Sequence, residues 1–149
     1  MAQRAEWTDP QCPVARTVDI LGDRWSLLIV RDAFDGARKF SEFQRNLGIA
    51  RNILADRLRT LVEHGILTPK PSGSGTRHEY ALTDSGRDLF TVVVSLRQWG
   101  ERHAFRHEER RSTMIDESTG HPAPTLRFVN ADGIVLDSTN THVRKVDDH

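Results

Sequence analysis

From Cys12 to Gly65 the apolar positions follow a helical period and are cut into four runs by glycine. Pro13 suits a first helical position, where its missing N–H is no loss, and Val14, Val18 and Leu21 recur at i, i+4 and i+7 before Gly22. Asp23 is placed to cap a second helix, with Trp25, Leu28, Ile29 and Ala33 as its apolar face and Gly36 at its end. After a strand fragment at Lys39 and Phe40, Ser41-Glu42-Phe43-Gln44 reads as a capping box: serine and glutamine each satisfy one N–H exposed at the helix start. Phe40, Phe43 and Leu47 form the stripe that this third helix buries, and Gly48 breaks it. A fourth helix spans residues 50–64, with Leu54, Leu58 and Leu61 inward and Gly65 in the C-terminal capping position. Two helices of about eight and about fifteen residues around a glycine-containing turn make a helix-turn-helix.

Beyond Gly65 the period changes. Short extended runs at 66–70 and 78–82 flank a Gly/Ser-rich loop at 71–76, which predicts a β-hairpin. Thr83 then caps a long helix whose segment Leu89-Phe90-Thr91-Val92-Val93-Val94 has five apolar residues in six, followed by Leu96 and Trp99. One amphipathic face cannot hold them all, so the helix is expected to bury one side in its own core and another on a twofold partner. Past a charged stretch at 107–111 come β-like runs at 125–130 and 134–136 around an Asp132-Gly133 turn.

Composition narrows the class. A chain of 149 residues, 37% hydrophobic and 28% charged, is a folded domain with a modest appendage, too short for a large multi-domain enzyme. Without an apolar run of about 20 residues or a secretion-type N-terminus, the expected location is the cytoplasm, with no membrane partner. One cysteine supports neither a disulfide framework nor a cysteine-rich metal site, and no cofactor is implied. No phosphate-binding glycine loop, serine elbow or catalytic carboxylate pair is evident, which argues against an enzyme. The net charge is zero, so attraction to a polyanion has to be local. Between Arg38 and Arg59 it is: Arg38, Lys39, Arg45, Arg51, Arg57 and Arg59 face only Glu42 and Asp56 as counter-charges.

The order of elements is that of a winged helix, and the residues resemble one family in particular. Cys12-Pro13-Val14, Leu21-Gly22-Asp23-Arg24-Trp25-Ser26-Leu27-Leu28-Ile29, Arg38-Lys39-Phe40-Ser41-Glu42-Phe43, Arg57-Leu58-Arg59-Thr60-Leu61, Glu79-Tyr80-Ala81-Leu82-Thr83 with Gly86, and Trp99-Gly100 are similar to the HxlR family of bacterial winged-helix regulators. The resemblance implies DNA-binding homodimers paired through their first and last helices, and a cysteine position that can serve as an oxidant or electrophile sensor. The chain departs from the family at Ala50, where a serine-type cap is common, and in a tail without the cysteines of a metal-binding ribbon.

The expected fold is mainly α with a small β-hairpin wing: a winged helix-turn-helix over 12–102, a long C-terminal dimerisation helix, and a short β-like extension over 103–149. The expected function is sequence-specific binding of double-stranded DNA as a homodimeric transcriptional regulator of repressor type. The competing reading is a winged-helix protein-interaction module without DNA readout. Arg51 and Asn52, in the first turn of the fourth helix, are the expected base readers, with Asp56 and Thr60 on the same exposed side. Arg38, Ser41, Arg45 and Arg59 suit phosphate contact, and Arg57 suits phosphate or a structural salt bridge equally. Lys70 and Arg77, beside His78, would bring the wing to the DNA backbone or minor groove, unless the hairpin tip is merely unstructured. Val14, Val18, Leu89, Val93, Leu96 and Trp99 are the expected dimer contacts. Cys12 stands at a helix start whose dipole favours a thiolate, and is either an effector or redox site or a small buried hydrophobe. A small-molecule effector or an oxidant is the accompanying partner. His103 and His107, four apart, carry a weak metal-ligand spacing for which solvated or paired histidines are the alternative.

Overall fold

The structure is a computed structural model and describes residues 6–72 and 78–147. Its elements run α1 (Pro13–Leu21), α2 (Ser26–Phe34), α3 (Phe40–Leu47), α4 (Arg51–Glu63), β1 (Leu67–Pro71), β2 (His78–Leu82), α5 (Asp84–Arg87) and α6 (Phe90–His103). Packing divides the chain into two compact units, one up to Val93 and one from Val94 onward.

The first unit closes around the helical stripes. Ile29 and Val30 of α2, Phe43 of α3, Leu54, Leu58 and Leu61 of α4, and Leu67 of β1 are at most 1% exposed. Each fully buried side chain of this size stabilises the fold by about 1.5–3 kcal/mol. These stripes therefore fix the angle at which α4 leaves the turn. That turn needs Gly48, which ends α3 at φ 62°, a left-handed conformation that a Cβ would strain.

Two local expectations are corrected. The cap of α3 is made by Glu42, whose Oε1 accepts from the backbone N–H groups of Lys39 at 3.0 Å and Arg38 at 3.3 Å. Because the helix already begins at Phe40, Glu42 occupies its third position, and the box sits two residues ahead of the expected Ser41 and Gln44 box. Thr83 does cap a helix, accepting from Gly86 N–H at 3.1 Å, but that helix is only the one-turn α5. The expected long helix is broken before Phe90, where Leu89 N–H turns back to the Gly86 carbonyl. Thr83 and Ser85 both donate to the Gly65 carbonyl and Gly86 presses on Ile66, where a Cβ would lie 2.2 Å from the carbonyl oxygen. Anchoring α5 to the end of α4 in this way costs the helix its continuity.

The hairpin pairs β1 and β2 antiparallel, Leu67 opposite Leu82 and Pro71 opposite His78. The other edge of β2 receives the strand fragment before α3: Lys39 bridges Glu79, and Tyr80 N–H donates to the Arg38 carbonyl at 2.7 Å. β1 is thus the outer edge, and Pro69 and Pro71 deny it further pairing. Residues 73–76 of the expected loop lie outside the described residues.

In the second unit, residues after α6 form two minimal hairpins, closed by the bridges Ile115–Pro122 and Val129–Val135. The latter turns at Asp132-Gly133 as the sequence suggested, with Asn130 N–H donating to the Ile134 carbonyl at 2.9 Å. Gln98 of α6 holds this segment at two points. Its amide donates to the Pro124 carbonyl at 3.0 Å and its oxygen accepts from Leu126 N–H at 2.8 Å. Among the described residues no helix is long and apolar enough to cross a membrane.

Candidate nucleic-acid interface

The α4 helix is set on the body by one carboxylate. Asp23 accepts from Ser26 N–H at 2.9 Å and from its hydroxyl, which fixes the start of α2, and its other oxygen lies 3.2 Å from Arg57 Nε of α4. Arg57 also donates to Asp56 at 2.7 Å. Held by two carboxylates and only a third exposed, Arg57 makes the structural salt bridge, one of the two roles open to it.

With the leucine stripe buried, α4 presents Arg51, Asn52 and Ile53 in its first turn, all exposed. Ala50 precedes them as an N-cap with no side-chain hydrogen bond, as expected of an alanine. The first-turn N–H groups are therefore left to external partners. Arg51 is steadied by the Phe40 ring, its guanidinium 5.1 Å from the centroid. Ser41 and Arg45 are exposed on α3 and Lys70 on β1. Arg77 lies outside the described residues.

The local cation surplus is smaller than its count. Arg38 donates to the carbonyls of Ala33 and Ala37 at 2.9 and 2.8 Å, closing the end of α2. Arg59 is paired with Asp56 and, at 2.9 Å, with Glu63, and the hydrogen bonds it donates to these two carboxylates hold it protonated more firmly than an ordinary arginine. Lys39, Arg45 and Arg51, by contrast, enter no salt bridge among the described residues. These three carry the unspent positive charge around the first turn of α4. Beside them, an open groove of about 300 Å³ runs between α4 and the hairpin, lined by Phe40, Arg59, Val62, Pro69, His78 and Tyr80.

The remaining candidates separate clearly. Val14 and Val18 of α1 are 71% and 56% exposed, and Leu96 and Trp99 of α6 are 52% and 60% exposed, whereas Leu89 and Val93 are half-buried against the first unit's core. Cys12 is the N-cap of α1 and its Sγ accepts from Ala15 N–H at 3.4 Å. The His103 and His107 spacing is not realised on one helix, since α6 ends at His103, whose ring packs 5.0 Å from Trp99. Sequence reasoning missed three positioning groups: Asp23 as the α2-to-α4 tie, Glu42 as the cap and Phe40 as the platform for Arg51. Only Glu42 had a readable signal, an acid three residues after Lys39.

A helix-turn-helix with an exposed first turn, followed by a hairpin, defines a winged helix-turn-helix DNA-binding transcriptional regulator. The chain belongs to the HxlR-like helix-turn-helix family, which matches residues 20–108. It is 50% identical over 96 residues to Rv3095 of Mycobacterium tuberculosis, an uncharacterised HTH-type transcriptional regulator, across 64% of this chain and 61% of that protein. The chain thus matches about three-fifths of that relative's length. The crystal structure of PA1607, a candidate transcription factor, is 48% identical and superimposes with a TM-score of 0.87 over 91% of this chain and 96% of that one. The redox regulator HypR in its reduced form is 32% identical with a TM-score of 0.58, over 62% of this chain and 94% of its own. The share matched therefore reaches well beyond α6 in PA1607 and is much smaller in HypR.

Proposed function

We propose that this chain is a homodimeric, sequence-specific reader of double-stranded DNA that represses transcription from an inverted-repeat operator. The observation that carries the reading is the first turn of α4: Arg51 and Asn52 are exposed, uncommitted to any acid, and backed by a fully buried leucine stripe. Arg51 offers a bidentate donor to guanine and Asn52 to adenine, each good pair discriminating by about 1–3 kcal/mol. Ser41, Arg45 and Lys70 contact phosphate and set the register. Arg38 and Arg59 are weaker phosphate contacts, because each must share donors already given to carbonyls or carboxylates. Arg77 and the wing tip complete the backbone contact. The DNA-binding part comprises residues 12–102, and two copies joined through α1 and α6 place their α4 helices in successive major grooves about 34 Å apart.

Selection of bound sequences from a random duplex pool, followed by titration of the recovered site over a salt series, tests this. The expected result is a palindrome with a steep salt dependence; Arg51→Ala relaxes specificity at one base pair, and Arg45→Ala lowers the salt slope by about 1. No enrichment, or binding insensitive to salt, overturns it in favour of the protein-interaction reading.

A second reading concerns control. Cys12 caps the helix proposed to join the two copies, and HypR is a redox regulator, which supports modification of Cys12 as a means of changing the spacing of the reading heads. Oxidant-dependent DNA release that persists in Cys12→Ser refutes it.

A further inference from the structure

Ile53 is the exception among the large apolar side chains of α4. Leu54, Leu58 and Leu61 are at most 1% exposed and Val62 packs against the same core, whereas Ile53 is 37% exposed. At about 100° per residue it lies about 100° around the helix from Leu54, off the buried stripe, and about 200° from Arg51, with Asn52 between the two. Arg51 and Ile53 thus stand on opposite flanks of the first turn.

The two flanks differ in chemistry. Arg51 stands beside the Phe40 ring and enters no salt bridge among the described residues. The polar side chains that follow Ile53 on its own flank are engaged within the protein: Arg57 pairs with Asp23 and Asp56, and the Thr60 hydroxyl donates to the Asp56 carbonyl at 3.0 Å. What this flank shows at the helix start is therefore an aliphatic surface. Helical side chains lean toward the N-terminus, so Ile53 is directed toward the start of α4, as Arg51 and Asn52 are. A major groove about 12 Å wide admits a helix of about 10–12 Å diameter, and both flanks of an entering first turn meet base edges. Isoleucine has no donor or acceptor for a phosphate or for the polar atoms of a base. The apolar group at the major-groove edge is the 5-methyl of thymine.

We infer that Ile53 is a specificity-determining residue that reads thymine, packing on the 5-methyl group of a thymine next to the base pair that Asn52 contacts. This rests on DNA reading by the first turn of α4 and adds an apolar recognition element to its two polar ones.

The test uses the full chain and the duplex recovered by selection. Each thymine of one half-site is replaced in turn by deoxyuridine, which removes the methyl group and keeps every hydrogen-bonding atom. The unaltered protein is expected to lose about fourfold in affinity at one of these positions, the effect of one methyl-sized group. The salt slope should not change, because no phosphate contact is lost. Ile53→Ala is expected to bind the thymine duplex at least fourfold more weakly than the unaltered protein, and to bind the uracil duplex as well as the thymine one. Ile53→Val should fall between. Alanine is a better helix former than isoleucine, so the circular dichroism of α4 should persist in the variant. Asn52→Ala, which relaxes specificity at its own base pair, locates the thymine, and coupling at a distant thymine refutes the placement. A recovered half-site without thymine, uracil substitution without effect at every position, or an equal uracil effect in Ile53→Ala and the unaltered protein overturns the inference and leaves DNA reading by Arg51 and Asn52 standing. Failure to recover any duplex overturns the DNA reading as well.

Discussion

The two compact units differ in what holds them. Up to Val93, a cluster of twelve buried apolar side chains joins α1, α2, α3, α4 and the start of β1; from Val94 onward, Val94 is the one buried apolar residue among the described residues. The first unit is stabilised by apolar burial, and polar groups refine it: Asp23 ties α2 to α4, and Glu42 caps α3. In the second the polar bonds themselves carry the shape. Gln98 grips the chain at Pro124 and Leu126, Arg97 donates to the Ser112 carbonyl and hydroxyl, and Asp116 and Asp137 each close a turn on the hydroxyl two residues on. Exposed polar contacts of this kind add little each, because water competes for them. A short segment held this way keeps its fold only with support from elsewhere.

The contrast predicts unequal responses to mutation. Phe43→Ala, in the middle of the first core, is expected to lower stability by about 3–5 kcal/mol and to abolish DNA binding, read by denaturant unfolding alongside a binding titration. Gly86→Ala is next. Its new methyl would meet the Ile66 carbonyl, backbone against backbone, and the forced shift of α5 should destabilise by about 1–3 kcal/mol in the same assay. A neutral outcome would show that the α5 anchor yields freely and that the break before Phe90 has another cause. Gln98→Ala should cost the whole chain no more than about 1 kcal/mol, yet speed hydrogen exchange selectively at 124–126. Global destabilisation comparable to Phe43→Ala would erase the distinction between the units.

The smallest effect is electrostatic. The N–H groups of Lys39 and then Arg38, with Lys39 and Arg45 nearby, hold the Glu42 carboxyl below its usual range. A carboxyl that is more acidic when folded contributes stability above its unfolded pKa, and that contribution is lost as pH falls through the folded value. Thermal melts of Glu42→Gln should therefore lie below wild type at neutral pH and converge with it in acid. A constant gap at every pH would mean that the charge of Glu42 does not matter to the cap.

Much of the first unit was legible because periodicity and glycine punctuation are local. The α4 stripe, its exposed first turn, the glycine turn before it and the hairpin after it all follow from spacing along the chain. The class of protein follows from them, since a helix-turn-helix followed by a hairpin is the winged-helix arrangement. Misreadings arose where a residue distant in sequence intervened. Thr83 begins only one turn of helix, because the carbonyls of Gly65 and Ile66 take up its hydroxyl and crowd Gly86. The six cations counted between Arg38 and Arg59 shrink to three uncommitted ones because Asp23, Glu63 and the end of α2 claim the others.

The sequence by itself determined which segments become helices and hairpins, which face of each is apolar, and the family. Those properties depend on neighbours within one or two turns. Only the tertiary structure decided which arginines are committed to carboxylates and carbonyls, where the last helix breaks, and that Leu126, Phe128 and Ile134 of the extension stay exposed in the single chain. Each of these depends on partners brought close by packing, and a hydrogen bond or ion pair is settled by distances of a few ångströms that spacing along the chain does not encode.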